Sequence, residues 1–149
     1  MSSSTEDETV DEPFDPSAAV GVLRRQMGAG YLGLQAVLGI VLWVLIGENE
    51  SFRELFELVP EEREVMSSFV LADLGLVVVG SALAAWGIWD DRPWATPAVA
   101  FTTGAVLYPT FFLLVWVPLT GVATVALAHM VTVSGLTIWV LVATWRVPD

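Results

Sequence analysis

The stretch from residue 69 to residue 89 reads FVLADLGLVVVGSALAAWGIW, and Asp73 is its only formally charged residue. Because an α-helix rises about 1.5 Å per residue, a helix of this length extends about 30 Å, the thickness of the hydrocarbon core of a bilayer. We interpret it as a membrane-spanning helix. Three further stretches share its length and apolar character: 27–47, 95–117 and 122–145. The sequence therefore predicts an all-α membrane protein, a bundle of four transmembrane helices.

The composition supports this class and excludes others. Hydrophobic residues make up 55% of the 149 residues, above the roughly 45–50% of soluble domains. The chain has no cysteine, which excludes disulfides and thiol redox chemistry. Seventeen acidic residues outnumber six basic ones, so that the net charge is −11 and we expect no nucleic-acid partner. The expected partner is the lipid bilayer, and the expected location is the cell membrane.

The chain divides into a tail and a membrane domain. Residues 1–15 carry six acids, no base and little apolar content, a composition typical of a disordered acidic tail. Residues 16–149 then form the predicted four-span domain, with one substantial connection between spans, 48–68. In this connection Ser51 and Glu54 have the spacing of a capping box, and apolar residues recur with a helical period. We expect a short amphipathic helix on the membrane surface between the first and second spans.

The arginines predict the orientation of the bundle. Four of them fall on the side of the membrane that carries both chain ends, and two fall on the other side. The first group is Arg24, Arg25, Arg92 and Arg146, and the second is Arg53 and Arg63. Because basic residues accumulate in cytoplasmic loops, we expect the N-terminus and the C-terminus to be cytoplasmic.

Four polar residues fall at similar depths in the outer half of the predicted bundle. Asp73 lies near the outer start of the second span, and His129 lies near the outer start of the fourth. Thr110 has a similar depth in the third span, and Tyr108 lies slightly deeper. Ionisable residues inside a membrane are costly unless they are paired, which makes them functional candidates. A proton relay or ligand site would use Asp73 as acceptor, His129 as proton carrier and the other two as hydrogen-bond partners. A structural polar clasp between helices is the alternative, and from the sequence alone we favour it.

Small residues at four-residue spacing indicate close helix contacts. Gly80 and Ala84 have this spacing in the second span, as do Thr124 and Ala128 in the fourth. Such pairs let membrane helices approach one another closely. We expect both pairs to pack within the chain, with contact to a second copy or to another membrane protein as the alternative.

No motif in the chain indicates catalysis. One histidine, no cysteine and one carboxylate inside a span supply too few ligands for a zinc site, so we expect no metal and no cofactor. The glycines lie inside spans and lack the strand-to-helix context of a phosphate-binding loop. We therefore expect a non-enzymatic membrane component with a structural, assembly or regulatory role. The alternative is a small proton- or ligand-coupled transporter or channel that uses the polar site in the outer half of the bundle.

Overall fold

The structure, a computed structural model, describes residues 16–59 and 63–145. Its elements are α1 (Pro16–Glu48), α2 (Glu50–Glu54), α3 (Arg63–Ala72), a π-helical segment (Asp73–Val78), α4 (Val79–Trp89), α5 (Ala95–Thr120) and α6 (Thr124–Trp145). Since α3, the π-helical segment and α4 follow one another without a break, they form one continuous helix. The predicted acidic tail at 1–15 and the last four residues of the predicted membrane domain lie outside the described residues.

Within residues 16–59 and 63–145, four helices are long and apolar enough to cross a membrane. The candidate spans are Ala19–Glu48, Ser68–Trp89, Ala95–Thr120 and Thr124–Trp145. This confirms the prediction of an all-α four-span bundle. Asp15-Pro16 has the pattern of a helix start, with proline at the first helical position, so the sequence predicts a helical lead-in before the first span, and α1 does begin at Pro16.

The four spans pack in a closed ring. α1 packs against α4, α4 against α5, α5 against α6, and α6 returns to α1. Neighbouring spans run in opposite directions, so that the bundle has two distinct ends. We call the end with the connection 90–94 the turn end and the end with the connection 48–59 the loop end.

A tight chain reversal joins α4 to α5 at the turn end. The Arg92 amide donates to the Gly87 carbonyl at 2.8 Å, and the Asp91 amide donates to the Ile88 carbonyl at 3.3 Å. These two bonds make a Schellman motif in which Asp91 takes the left-handed conformation with φ of 54°. Aspartate tolerates this conformation better than most residues. Arg25 of α1 forms a salt bridge with Asp91 and thereby ties the first helix to the turn.

Small residues let all four spans meet near the turn end. The buried cluster there is Ala29, Leu32, Ala84, Ile88, Ala95, Val99 and Val140. A methyl group added at Gly28 would lie 3.1 Å from Val140 Cγ1, and one added at Gly87 would lie 2.7 Å from the Trp94 ring. At this end the helices therefore approach so closely that a side chain larger than the hydrogen of glycine would crowd its neighbours at these positions.

The core at the loop end is built differently. Its buried cluster is Ile46, Phe56, Leu113, Val117, Ala123 and Ala126. These residues come from α1, α5, α6 and the connections, and no described residue of α3 belongs to the cluster. The Phe56 side chain is only 8% exposed. Phe56 therefore belongs to the core although it lies in the connection between α2 and α3.

The expected capping box at Ser51 and Glu54 is not what caps α2. The N-cap of α2 is Asn49, whose side chain accepts a hydrogen bond from the Phe52 amide at 3.0 Å, and Ser51 lies inside the helix. Asn49 caps the helix because it directly follows α1 in an extended conformation. The amphipathic helix is present but ends at Glu54, and Phe56 beyond it packs into the bundle rather than along the membrane surface.

Candidate functional site

Asp73 is the first residue of the π-helical segment in the second span. At the end of this segment the Val79 amide donates to the Leu74 carbonyl, five residues back, where an α-helix would use the residue four back. Single π-helical turns in a longer α-helix often occur at functional sites. The half-buried Asp73 carboxylate accepts a hydrogen bond from the Trp43 side chain of α1.

Asp73 and His129 line the same cavity near the loop end. The cavity has a volume of about 90 Å³ and opens on the surface of the bundle. Asp73 comes from the second span and His129 from the fourth, so the fold brings together two residues that are distant in sequence. The remaining lining residues are Leu42, Trp43, Ile46, Phe56, Leu58, Phe69, Pro109, Phe112, Leu113, Ala126 and Met130.

Aromatic rings form much of the cavity wall. They come from four different parts of the chain, as Trp43, Phe56, Phe69 and Phe112. The Phe56 ring meets the His129 imidazole edge to face, with 6.3 Å between the ring centroids. Among the lining residues that the structure describes, the only other polar side-chain group is the Trp43 indole N–H. The site therefore combines one carboxylate and one imidazole with an apolar, aromatic surround.

Hydrogen bonds and ion pairs hold the wall at residues 55–59 in place. The Trp116 indole N–H donates to the Leu58 carbonyl at 3.3 Å, which fixes this segment to α5. The Arg53 guanidinium lies 3.0 Å from the Glu50 carboxylate and 3.2 Å from the Glu57 carboxylate. These contacts position Phe56 and Leu58 against the cavity.

The other two predicted site residues lie elsewhere. The Tyr108 side chain is 76% exposed, on the outer surface of the bundle. The Thr110 hydroxyl is buried and lies 2.7 Å from the Ser134 hydroxyl, so that it joins α5 to α6. Neither residue lines the cavity. Depth along a helix predicts the level of a residue, but its position around the helix axis decides whether it faces the site.

Of the four predicted packing residues, two lie inside the bundle and two lie on its outer surface. Gly80 is buried, and a methyl group added there would lie 2.9 Å from the Thr102 hydroxyl oxygen, while Ala84 is fully buried in the core at the turn end. Thr124 and Ala128 are exposed on the outside of α6. Only the pair in the second span therefore packs within the described chain.

A buried polar cluster in the middle of the bundle was not expected from the sequence. The Thr137 hydroxyl lies 3.1 Å from Gln35 Oε1 and 3.3 Å from the Tyr31 hydroxyl. It links α1 to α6. One signal would have found it, because Gln35 is the only amide side chain within the four predicted spans, and an amide inside lipid requires a partner.

Known protein families, curated proteins and solved structures offer no relative of this chain. No protein-family model matches the chain, and no curated protein or solved structure matches it. The chemistry of the cavity is therefore judged from its own residues. A carboxylate supplies negative charge and accepts hydrogen bonds, a neutral imidazole both donates and accepts, and the faces of aromatic rings attract cations.

Proposed function

We propose that this membrane protein binds a small organic cation in the cavity between Asp73 and His129, as the binding step of a small transporter or channel. The observation that carries the proposal is the meeting of a carboxylate, an imidazole and four aromatic rings in one cavity. Of the two functions that the sequence leaves open, this arrangement favours the second.

The charge of the cavity argues for a cationic ligand. Asp73 is the only acidic residue among the described lining residues, and none of them is Lys or Arg. A carboxylate in an apolar surround is costly unless a positive charge accompanies it. A ligand cation supplies that charge, and the aromatic residues Trp43, Phe56 and Phe69 of the cavity wall suit its apolar groups.

The protonation of Asp73 would couple binding to pH. A protonated Asp73 is neutral and attracts a cation less, so a proton and the ligand compete for the carboxylate. His129 lines the same cavity and provides a second group that can take up the proton. This competition is the chemical basis for exchange of a cation against a proton.

Equilibrium binding of radiolabelled tetramethylammonium to the protein in lipid nanodiscs tests the proposal. This ion has a permanent charge and apolar methyl groups and donates no hydrogen bond through nitrogen. Saturable binding should be present, weaken as the pH falls, and weaken at least tenfold in Asp73→Asn. The matched control is Glu48→Gln, which removes an exposed carboxylate at the same end of the bundle and should leave binding unchanged. Equal binding by the wild type and Asp73→Asn would contradict the proposal, provided that both proteins melt alike.

The proposal includes the orientation of the bundle, with both chain ends in the cytoplasm and the loop end outside. The arginine distribution supports it. Because the chain has no cysteine, single cysteines can report it. Ser51→Cys should react with an impermeant maleimide on intact cells, and Pro93→Cys should react only after the membrane is permeabilised. The reverse pattern would show an inverted bundle.

A structural or assembly role is the second candidate, and one observation favours it. Thr124 and Ala128 lie exposed on α6 with a spacing that suits contact with another helix. If this role is correct, Ala128→Cys should form a cross-link to a second copy or to another protein in native membranes. Asp73→Asn and His129→Ala would then lower the thermal stability, with no cation binding to lose.

A further inference from the structure

We propose that the middle of the bundle holds a second site, which binds a water molecule between Gln35 of α1 and Ser81 of α4. We call four buried polar residues, one taken from each span, the polar layer: Gln35, Ser81, Thr102 and Thr137. Thr137 hydrogen-bonds to Gln35, and Thr102 lies against Gly80, the residue before Ser81. Gln35 is 8% exposed and Ser81 is 0% exposed. Neither residue lines the Asp73 cavity, so this inference does not depend on the proposed function.

Two atoms of this layer lack a hydrogen-bond partner. Within residues 16–59 and 63–145, Gln35 Nε2 and Ser81 Oγ are the buried side-chain polar atoms that no other group contacts by a hydrogen bond. A buried polar atom without a partner is destabilising, and native proteins rarely contain one that neither protein nor water satisfies. The surrounding lipid cannot supply a partner.

The two residues lie at a similar level along the bundle axis. A methyl group added at Gly39 would lie 2.8 Å from Val78 Cγ2, and one added at Gly33 would lie 4.0 Å from Ala85 Cβ. These two contacts give the register of the antiparallel helices α1 and α4. The middle of the segment from Gly33 to Gly39 lies opposite the middle of the segment from Val78 to Ala85. Measured along the bundle axis, Gln35 and Ser81 are therefore separated by less than about one helical turn.

Counting protons shows that a further partner is needed in either orientation of the amide. The Thr137 hydroxyl has one proton, and its oxygen lies 2.7 Å from the Val133 carbonyl oxygen and 3.1 Å from Gln35 Oε1. If the proton goes to Gln35, the amide nitrogen keeps two N–H groups without an acceptor. If it goes to Val133, Gln35 must turn its nitrogen towards Thr137, and the amide oxygen then lacks a donor. Rotating the amide therefore does not satisfy Gln35.

Water fits these requirements better than an ion or a larger solute. The partner must form one hydrogen bond with the Gln35 amide and one with the Ser81 hydroxyl. Water suits both, because it can donate or accept at each of them. No charged side chain belongs to the layer, so nothing there would balance an ion. Between this layer and the turn end lies an apolar core that includes Leu32, Ile88 and Val99. The water would bridge α1 to α4 at the point where that core begins.

Selective labelling can detect this water directly. The chain contains two glutamines, Gln26 and Gln35, so protein labelled with ¹⁵N at the glutamine side chains gives two amide pairs. In nanodiscs made with deuterated lipid, the Gln35 amide protons should show a nuclear Overhauser effect to a long-lived water. The signal should be lost in Ser81→Ala. Absence of a water signal at Gln35 in the wild type, with the amide resonances assigned and sharp, would overturn the proposal.

The sign of a stability change gives an independent test. If water bridges the two residues, Ser81→Ala removes a hydrogen bond and should lower the melting temperature by about 2–4 °C. If Ser81 is unsatisfied, the same substitution removes a buried polar group and should raise the melting temperature. Thr103→Val is the matched control, because the buried Thr103 hydroxyl donates within its own helix to the Val99 carbonyl at 2.7 Å. A rise in Ser81→Ala beyond that control would refute the bridging water.

Discussion

At the turn end of the bundle all four spans contribute to one core, whereas at the loop end the described part of α3 contributes no buried side chain and Phe56, from the connection before α3, is part of the core. The turn end is packed through alanine and glycine, and the loop end is packed through large aromatic side chains around a cavity. Asp73 and His129 lie where packing is incomplete. The comparison shows how one small bundle can hold a rigid scaffold at one end and an accessible polar site at the other.

At the loop end, two of the spans depart locally from regular α-helical geometry. The π-helical segment begins at Asp73, and Pro109 removes a backbone hydrogen bond from α5. Both residues line the cavity. Irregular membrane helices are tolerated where they border a cavity, because groups there can satisfy the backbone. The regular part of α4 packs instead against the core at the turn end.

The largest difference between the two ends should appear when a core side chain at the turn end is truncated. Leu32 is fully buried, and Leu32→Ala should lower the free energy of unfolding by about 3 kcal/mol through the cavity it leaves. Leu34 in the same helix is 55% exposed to the surroundings, so Leu34→Ala should have little effect. Titration with sodium dodecyl sulfate, followed by circular dichroism, measures both. Equal losses would mean that the turn end is not the rigid scaffold.

Close approach of backbones at the turn end predicts the second largest effect. A methyl group at Gly87 would lie 3.1 Å from Ala95 Cα and 2.7 Å from the Trp94 ring. Gly87→Ala should therefore destabilise the protein by about 2 kcal/mol. Gly104→Ala is the control, since nothing lies within 4 Å of a methyl group there and alanine is the better helix former. The same unfolding titration should separate the two variants, and a neutral Gly87→Ala would refute the close packing.

The sequence was sufficient to predict the bundle because each span carries its own signal. A run such as 69–89 is long and apolar enough to predict a membrane helix without knowledge of its neighbours. The close contact at Gly80 and Ala84 also follows from spacing. The conformation of 48–59 was harder to predict, because Phe56 has the helical spacing of a surface helix and its burial depends on room left by another span.

The sequence predicted how deep the candidate site residues lie in the bundle, but not which side of its helix each residue faces. Residue counts along two spans placed Asp73 and His129 at one level, and both line the cavity. The same counts included Tyr108 and Thr110, which point elsewhere because rotation about a helix axis depends on tertiary packing. The π-helical segment left no local signal in the sequence. Because its hydrogen bonds reach five residues back instead of four, this segment rotates the preceding residues around the helix axis relative to those of α4.

Truncation at the loop end should cost less than truncation at the turn end. Phe56→Ala removes a larger side chain than Leu32→Ala, yet we expect a loss of only about 1 kcal/mol. The space it vacates joins a cavity that already opens on the surface, so lipid or neighbouring side chains can fill it. The larger cavity should also accept tetraethylammonium, which the wild type should bind more weakly than tetramethylammonium. A loss as large as that of Leu32→Ala would show that the two ends are equally rigid.

The smallest effect should come from the hydrogen bond that fixes the cavity wall. Trp116→Phe keeps an aromatic ring stacked on Phe112 but removes the N–H that donates to Leu58. The loss of one such bond should lower the free energy of unfolding by about 0.5 kcal/mol. Locally, amide hydrogen exchange at residues 55–59 should rise severalfold, because this segment opens without unfolding the bundle. Trp139→Phe, which changes an exposed tryptophan of α6, should leave that exchange unchanged. If both variants exchange like the wild type, the burial of Phe56 and the ion pair between Arg53 and Glu57 are enough to hold the wall, and the loop end is more firmly packed than its cavity suggests.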